Sequence, residues 1–179
     1  TCLISIMYVN NELGSIQPIE EIGKMLKSKY PEIIFHVDAV QGYGKTDCNV
    51  RRLNCHLMSL SSHKINGPKG VGCLFIKKGT VIKPLFYGGG QENGLRVGTE
   101  NVPGIVGFAK AVEITFKNFE KNNMHIKKLR QRFVENIESC GLDCKINSDL
   151  EHTASHVLNV SFRGIKGEIL VHSLEEKNI

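Results

Sequence analysis

Apolar and polar positions change period several times along the chain. Dense apolar runs at Leu3 to Val9, Ile33 to Val37, Leu57 to Ser61 and Val71 to Ile76 have the length and β-branched content of strands. Between the first two, Ile19, Ile22, Met25 and Leu26 recur at helical spacing on one face, Pro18 stands near the first turn, and Tyr30-Pro31 ends the segment. A strand, a helix and a second strand in succession make a βαβ crossover. Such alternation over the first two-thirds predicts an α/β domain with a mainly parallel sheet.

Beyond these runs the punctuation changes. Pro84 to Gly107 is glycine-rich (YGGGQENGLRVGTENVPG), and a connection of that length inside a compact domain is usually functional. A long helix is predicted from about Ile105 to Ser139, with Ile126, Leu129, Phe133 and Ile137 on one face and a kink at Asn122-Asn123. After Gly141, the strand His156 to Phe162 leads through Arg163-Gly164 into a helix over Gly167 to Glu176. The expected organisation is part of a larger domain over residues 1–110, a linking helix over 111–140, and the start of a smaller C-terminal α/β domain over 141–179. Thr1 to Met7 reads as a strand already under way without an initiating methionine, so the N-terminus is expected to be a cut.

Composition narrows the class. With 179 residues, 41% of them hydrophobic, the chain can bury one sizeable core and begin a second. Six cysteines, Cys2, Cys48, Cys55, Cys73, Cys140 and Cys144, show no disulfide framework, which points to a reducing, cytoplasmic setting. No apolar run approaches the roughly 20 residues that span a bilayer, and no signal sequence opens the chain, so a soluble protein without a membrane partner is expected. The formal charge is +5, with basic residues concentrated from Lys117 to Arg132. Acidic and apolar residues interrupt that stretch, so it reads as a solvated helix face and not as a nucleic-acid site.

Candidate chemistry gathers where strands end. Asp38 closes the strand IIFHVDA, with Gln41 just after it, and Ser61-Ser62-His63-Lys64 closes LMSLS. In parallel sheets, ligands collect beyond the carboxyl ends of strands. A lysine there can form a Schiff base with an aldehyde cofactor, and an aspartate can keep a pyridine nitrogen protonated. Ser61 and His63 can donate to a phosphate, and Asn11 and Gln41 can reach a ring hydroxyl. Taken singly, Asp38 is an ordinary strand-end residue, His63 a structural histidine and Lys64 an exposed lysine before the glycine turn Gly67-Pro68-Lys69-Gly70.

The surrounding words change that balance. MYVNNELGSIQPI, FHVDAVQGYGK, SLSSHKINGPKGVGCLFIKKG and YGGGQENGLRVGTENVPGIVGFAKA resemble, in order and spacing, the NifS and IscS type cysteine desulfurases of the class V aminotransferase group. The resemblance runs over essentially the whole chain. It implies the fold of the type I pyridoxal-phosphate transferases and conversion of L-cysteine to L-alanine. In that reaction sulfur passes to an enzyme cysteine as a persulfide, and from there to iron–sulfur clusters or thio-cofactors by way of an acceptor or scaffold protein. By the same resemblance Lys64 takes the cofactor's aldehyde, Asp38 the pyridine nitrogen, Gln41 and Asn11 the ring, and Ser61 with His63 the phosphate. Thr99 of RVGTEN matches the threonine that reaches the partner subunit's phosphate, which implies a homodimer.

The resemblance also implies parts that this sequence lacks. The family's nucleophilic cysteine lies in a loop beyond a segment resembling ILVHSLEEKNI, and none of the six cysteines has that context; Cys140 and Cys144 are expected to be structural. The stacking histidine, a glycine/threonine cofactor loop and an arginine for the substrate carboxylate are not found either, and His36 is not assigned the stacking role. These 179 residues are therefore expected to be incomplete and inactive by themselves. Val97 and Asn66 depart from the usual serine and aromatic.

Three rivals remain. Selenocysteine lyases share the ring and phosphate words. Ala39-Val-Gln-Gly-Tyr-Gly-Lys45-Thr46 fits a relaxed P-loop, although its first glycine is an alanine and no long apolar helix follows. Cys48, Cys55, His56 and His63 lack the paired spacing of a structural zinc site, so no metal is expected.

Overall fold

The computed structural model describes residues 1–179, which divide into two compact units. The first comprises Thr1–Val9 and Gln17–Phe119, the second Asn10–Ile16 and Glu120–Ile179.

In the first unit, β1 (Leu3–Met7), helix α1 (Ile19–Lys29) and β2 (Ile34–Asp38) form the expected crossover. A single turn of helix, α2 (Val50–Leu53), then precedes β3 (Leu57–Ser61) and β4 (Gly72–Ile76). The sheet runs β1-β2-β3-β4, with the first three strands parallel and β4 antiparallel to β3. Strand β2 shows the two-residue alternation clearly: Phe35 and Val37 are wholly buried, whereas Ile34, His36 and Asp38 on the other face are only partly covered. Met58, Val9, Leu53 and Ile19 complete the core on the Phe35 side.

Helix α1 buries Ile19, Gly23 and Leu26, the i, i+4, i+7 stripe. Met25, expected on that face, is 43% exposed. The core-facing position falls to Gly23 because a Cβ there would collide with the Leu53 carbonyl, so only glycine lets α1 approach α2 so closely.

The long helix of the sequence reading is two helices, α3 (Val102–Lys117) and α4 (Phe119–Ser139), divided at Asn118 and not at Asn122-Asn123. Asn118 leaves helical geometry (φ −113°, ψ 14°), and its Nδ2 donates to the Ile114 carbonyl at 3.0 Å, so the side chain takes up a ladder acceptor. Asn101 caps the start of α3, accepting from Gly104 N–H at 3.1 Å. Asn122 and Asn123 stay within α4.

The second unit pairs two short antiparallel strands, β5 (Cys144–Ile146) and β6 (Val160–Phe162), and ends in α5 (Gly167–Glu175). The predicted strand from His156 pairs only from Val160, because the residues before it do other work. Ala154 N–H donates to Gly14 O at 2.9 Å, Val157 N–H turns back to Ala154 O at 3.1 Å, and Ser15 bridges Thr153. Segment 10–16 is bound into this unit by those contacts and by Ser148 Oγ, which donates to Leu13 O at 2.9 Å. Gly14 has φ +76° and lies against Thr153 and Val157, a place no Cβ could enter. Arg130 of α4 closes the 150–153 turn, donating to Leu150 O and Thr153 O at 3.1 Å each.

Candidate functional site

Strands β2 and β3 end side by side, with Asp38 the register partner of Ser59. Main-chain bonds fix this edge from both sides, Tyr8 N–H donating to Asp38 O at 2.8 Å and Ala39 N–H to Ser59 O at 3.0 Å. The Asp38 carboxylate is partly buried; its Oδ1 accepts from Val40 N–H at 3.0 Å, and its other oxygen has no protein partner. Residues 40–46 then coil into a helical turn, with Tyr43 N–H returning to Ala39 O and Thr46 N–H to Gly42 O, and this turn places Gln41 just past Asp38.

After β3 the chain enters a 3-10 turn over Ser62–Ile65. The turn alternates sharply in burial: Ser62 is completely buried and Ile65 nearly so, whereas His63 and Lys64 between them are exposed. Ile65 is the anchor, packed with Phe108, Ala111, Tyr43, Leu60, Val71 and Val112. Asn66 closes the turn at φ +63°, a left-handed conformation that asparagine tolerates better than an aromatic residue would, and Gly67 N–H donates to Ser62 O at 3.0 Å. Ser62 N–H donates to Val71 O at 3.0 Å, so both ends of the turn are tied down. The consequence is directional: an anchored Ile65 leaves the Lys64 amine no path but outward, with no ion pair to hold it. Ser61 Oγ and His63 Nδ1 lie 2.8 Å apart beside it.

Lys45 stands in the same neighbourhood. Gly44, at φ +74°, packs its backbone against Ile65 and Thr115. Burial first, and then the charge of Lys64, holds the Lys45 ammonium below its ordinary range. The end of the sheet is thus electropositive, with Asp38 as its acidic counterpart.

Five of the seven residues singled out from the sequence, Asp38, Gln41, Ser61, His63 and Lys64, lie at the carboxyl ends of β2 and β3 or in the turns that follow them. Thr99 is exposed in the loop before α3, where Gly98 N–H donates to Gln91 Oε1 at 3.2 Å. Asn11 is exposed in the second unit, in a turn whose N–H groups at Glu12 and Leu13 donate to Asn10 Oδ1 at 2.9 Å each. The motif words do not point to Ser5 or Ser59; only their central polar places in the apolar strands LISIM and LMSLS mark them.

Residues 39–46 do not behave as a phosphate loop. The Thr46 hydroxyl donates back into its own turn, to Gly42 O at 3.0 Å, and the helix that follows is the four-residue α2. No group of three or more His, Cys, Asp or Glu side chains converges as a metal site would require. All six cysteines are free. Burial pushes the Cys48 thiol up to about 11 and raises Cys55 and Cys73, so these three are poor nucleophiles near neutral pH.

An aldehyde-bearing, anionic pyridine cofactor suits this donor set. It needs an outward amine free of ion pairs, a carboxylate with one unengaged oxygen, and hydroxyl and imidazole donors for a phosphate. Lys64, Asp38, and Ser61 with His63 supply those groups at one sheet end.

Comparison with known proteins agrees in kind. The Aminotransferase class-V family profile matches residues 1–179. A protein of Clostridium botulinum named cysteine desulfurase IscS is 45% identical over 181 residues, an alignment covering all of this chain and 45% of that protein. Its namesake from Methanosarcina thermophila is 46% identical over the whole chain and 44% of its own length. Among solved structures, a NifS-like protein superposes with a TM-score of 0.95 at 45% identity, over all of this chain and 48% of that one. A NifS-like protein from Rickettsia africae gives 0.90 at 32% identity, over 99% of this chain and 48% of the other. The chain spans about half the length of the curated relatives it matches. No helix is long and apolar enough to cross a membrane.

Proposed function

The chain belongs to the aminotransferase class-V family, and from that premise we propose that it forms the lysine-bearing part of a pyridoxal-phosphate-dependent cysteine desulfurase. The observation that carries this reading is the convergence of Asp38 and the Ser61-to-Lys64 turn at the carboxyl ends of adjacent parallel strands.

Bound pyridoxal phosphate supplies an aldehyde carbon that condenses with amines and a pyridine ring that draws electrons away from the neighbouring α-carbon. Lys64 Nζ would hold the aldehyde and, once free, would serve as the general base that takes and returns the substrate's α-proton. The unengaged oxygen of Asp38 holds the proton on the ring nitrogen. The Ser61 hydroxyl and the His63 imidazole would donate to the phosphate, and Gln41 would orient the ring through its hydroxyl. Lys45 adds positive charge on the side where a phosphate and a carboxylate must both be held.

The products are L-alanine and sulfur carried as a persulfide on an enzyme cysteine, destined through an acceptor or scaffold protein for iron–sulfur clusters or thio-cofactors. No such role is assigned to the six cysteines of this chain, three of which, Cys48, Cys55 and Cys73, have thiols raised by burial. Thr99 is assigned to the phosphate of a partner subunit in a cytoplasmic homodimer.

The test is incubation with pyridoxal phosphate, borohydride reduction and peptide mapping by mass spectrometry, with Lys64→Ala as control. The expected result is a pyridoxyl group on Lys64 alone. Scattered or absent labelling of the complete gene product overturns the assignment. Alanine release from cysteine by that product then tests the reaction.

A further inference from the structure

The opposite end of the sheet carries a second concavity. At the amino ends of β2 and β3, a strand's length of about 16 Å from Asp38 and Ser61, a cavity of about 130 Å³ opens beside the last turn of α1 and the end of β4. Leu26, Tyr30 and Pro31 give it an apolar lining, and Lys27, His56 and Lys77 a basic one; no carboxylate lines it. Its volume is several times what one water needs and suffices for a tetrahedral oxyanion. The sheet brings these groups together. His56 precedes β3, and because β4 runs antiparallel to β3, Lys77 follows β4 at the same end, its N–H donating to His56 O at 2.8 Å.

The donors are fixed and unengaged. His56 Nδ1 accepts from Phe35 N–H at 3.0 Å, so that nitrogen carries no proton, and the neutral ring keeps its proton on Nε2. Burial, and after it the charge of Lys77, holds the imidazole below its ordinary range, so near neutral pH it is an uncharged, directional donor. Lys27 and Lys77 pair with no carboxylate, whereas Lys24 and Arg52 share Glu20, and Arg52 also takes Asp47. The carbonyl end of α1 brings about half a negative charge, which Lys27 and Lys29 in its last turn outweigh. Two cations and one N–H donor therefore line a space that holds no counter-charge.

We propose that this cavity binds a small phosphate-type oxyanion, either the free ion or the phosphate terminus of an organic ester, with Lys27 and Lys77 neutralising its charge and His56 Nε2–H donating to one oxygen. A doubly charged tetrahedral anion suits two ammonium groups and a neutral donor better than a carboxylate, which carries one charge in a plane. The apolar lining from Leu26, Tyr30 and Pro31 suits the stem of an ester. The site is apart from the pyridoxal-phosphate reading above: it lies at the other end of the sheet and uses none of the residues assigned there.

The test is a titration of the chain with inorganic phosphate near neutral pH, at an ionic strength held constant with chloride and followed by proton–nitrogen NMR. Saturable shifts are expected at His56, Lys77 and Tyr30, with a dissociation constant on the order of 1 mM, as two charge-assisted hydrogen bonds allow. Long-range spectra should show His56 as the Nε2–H tautomer before phosphate is added. Lys27→Gln and Lys77→Gln change exposed side chains, so each should keep the wild-type urea midpoint while weakening binding about tenfold. Lys24→Gln, on the same helix as Lys27 but outside the cavity, should bind as wild type does. Glycerol phosphate distinguishes the sources: comparable or tighter binding assigns the site to a phosphate ester, and binding of the free ion alone assigns it to orthophosphate.

Failure to saturate at roughly ten times that concentration overturns the proposal. So does acetate binding as tightly as phosphate, which would show that the second charge is not recognised. An equal loss in Lys24→Gln refutes it too, because the effect would then be general attraction to a basic surface. An Nδ1–H tautomer removes His56 as the donor and with it the site as described. None of these outcomes touches labelling at Lys64, so the pyridoxal-phosphate reading stands or falls on its own test.

Discussion

Gly67→Ala tests the anchoring of the turn that presents Lys64. An added Cβ would strike Ser62 Oγ, and it would also stand 3.1 Å from Ala111 Cβ and from Ser62 O. Ser62 is completely buried and its hydroxyl has no hydrogen-bond partner, so moving it aside shifts it against atoms packed in the interior. Overpacking of this kind costs about 1–3 kcal/mol, and replacing a glycine returns roughly 0.4–1 kcal/mol through the unfolded chain. The net expectation is a loss of about 1–2 kcal/mol, read as a lower urea midpoint with an unchanged slope. Ser62→Ala removes the colliding atom along with an unsatisfied buried hydroxyl. That single change should be neutral or stabilising by up to about 1 kcal/mol. In the Ser62→Ala background the cost of Gly67→Ala should fall by roughly half or more, a coupling that a double-mutant cycle measures directly. Pyridoxyl labelling at Lys64 should drop in Gly67→Ala and return in the double variant. If Gly67→Ala is as stable as wild type, or if its cost is the same with and without Ser62, the packing account of the turn is wrong.

Two further outcomes follow from the titrating groups. With the Cys48 thiol pushed up to about 11 by burial, its thiolate fraction at pH 8 is on the order of one in a thousand; iodoacetamide at that pH should modify exposed Cys2 and Cys140 and spare Cys48, as peptide mapping would show. The hydrogen bond between His152 Nδ1 and Asp149 Oδ2, 3.0 Å long, raises the histidine above its ordinary 6.5, while backbone donors from Glu151 first, and His152 after, lower Asp149 below 3.8. A raised histidine stabilises fully below its unfolded value and loses that contribution as pH rises through the folded one; a lowered aspartate stabilises above its unfolded value and loses it as pH falls through the folded one. The 149–152 turn should therefore be firmest between about pH 4 and 6.5, and NMR titration should find His152 above 6.5; a value at or below it refutes the pairing.

Much of the architecture is legible because the information is local. Strand β3 lies where the apolar run places it, over Leu57–Ser61, and β2 differs from its run only by a residue at each end. Short strands buried on one face need apolar residues at fixed alternation, and the sequence shows them. The Asp38 and Ser61-to-Lys64 words are equally local, since each sits at a strand end and its position follows once the strands are known. The Asn118 break was harder to see, because Asn122 and Asn123 offer the same side-chain chemistry; which asparagine captures a carbonyl is settled by the geometry at Ile114.

What the sequence by itself determined is the four strands of the first sheet, the helix of the parallel crossover and the residues at the strand ends, because apolar period and turn chemistry act over a few neighbours. What only the tertiary structure decided depends on partners far along the chain. Segment 10–16 carries no mark of belonging with residues 120–179; it joins them through Gly14 against Thr153 and Val157 and through Ser148 to Leu13. The outward aim of Lys64 comes from Ile65 packing on Phe108 and Ala111, more than forty residues away. The row Ser5–His36–Ser59 exists only because parallel register carries three strand centres to one face, and register is a property of the sheet that no single strand holds.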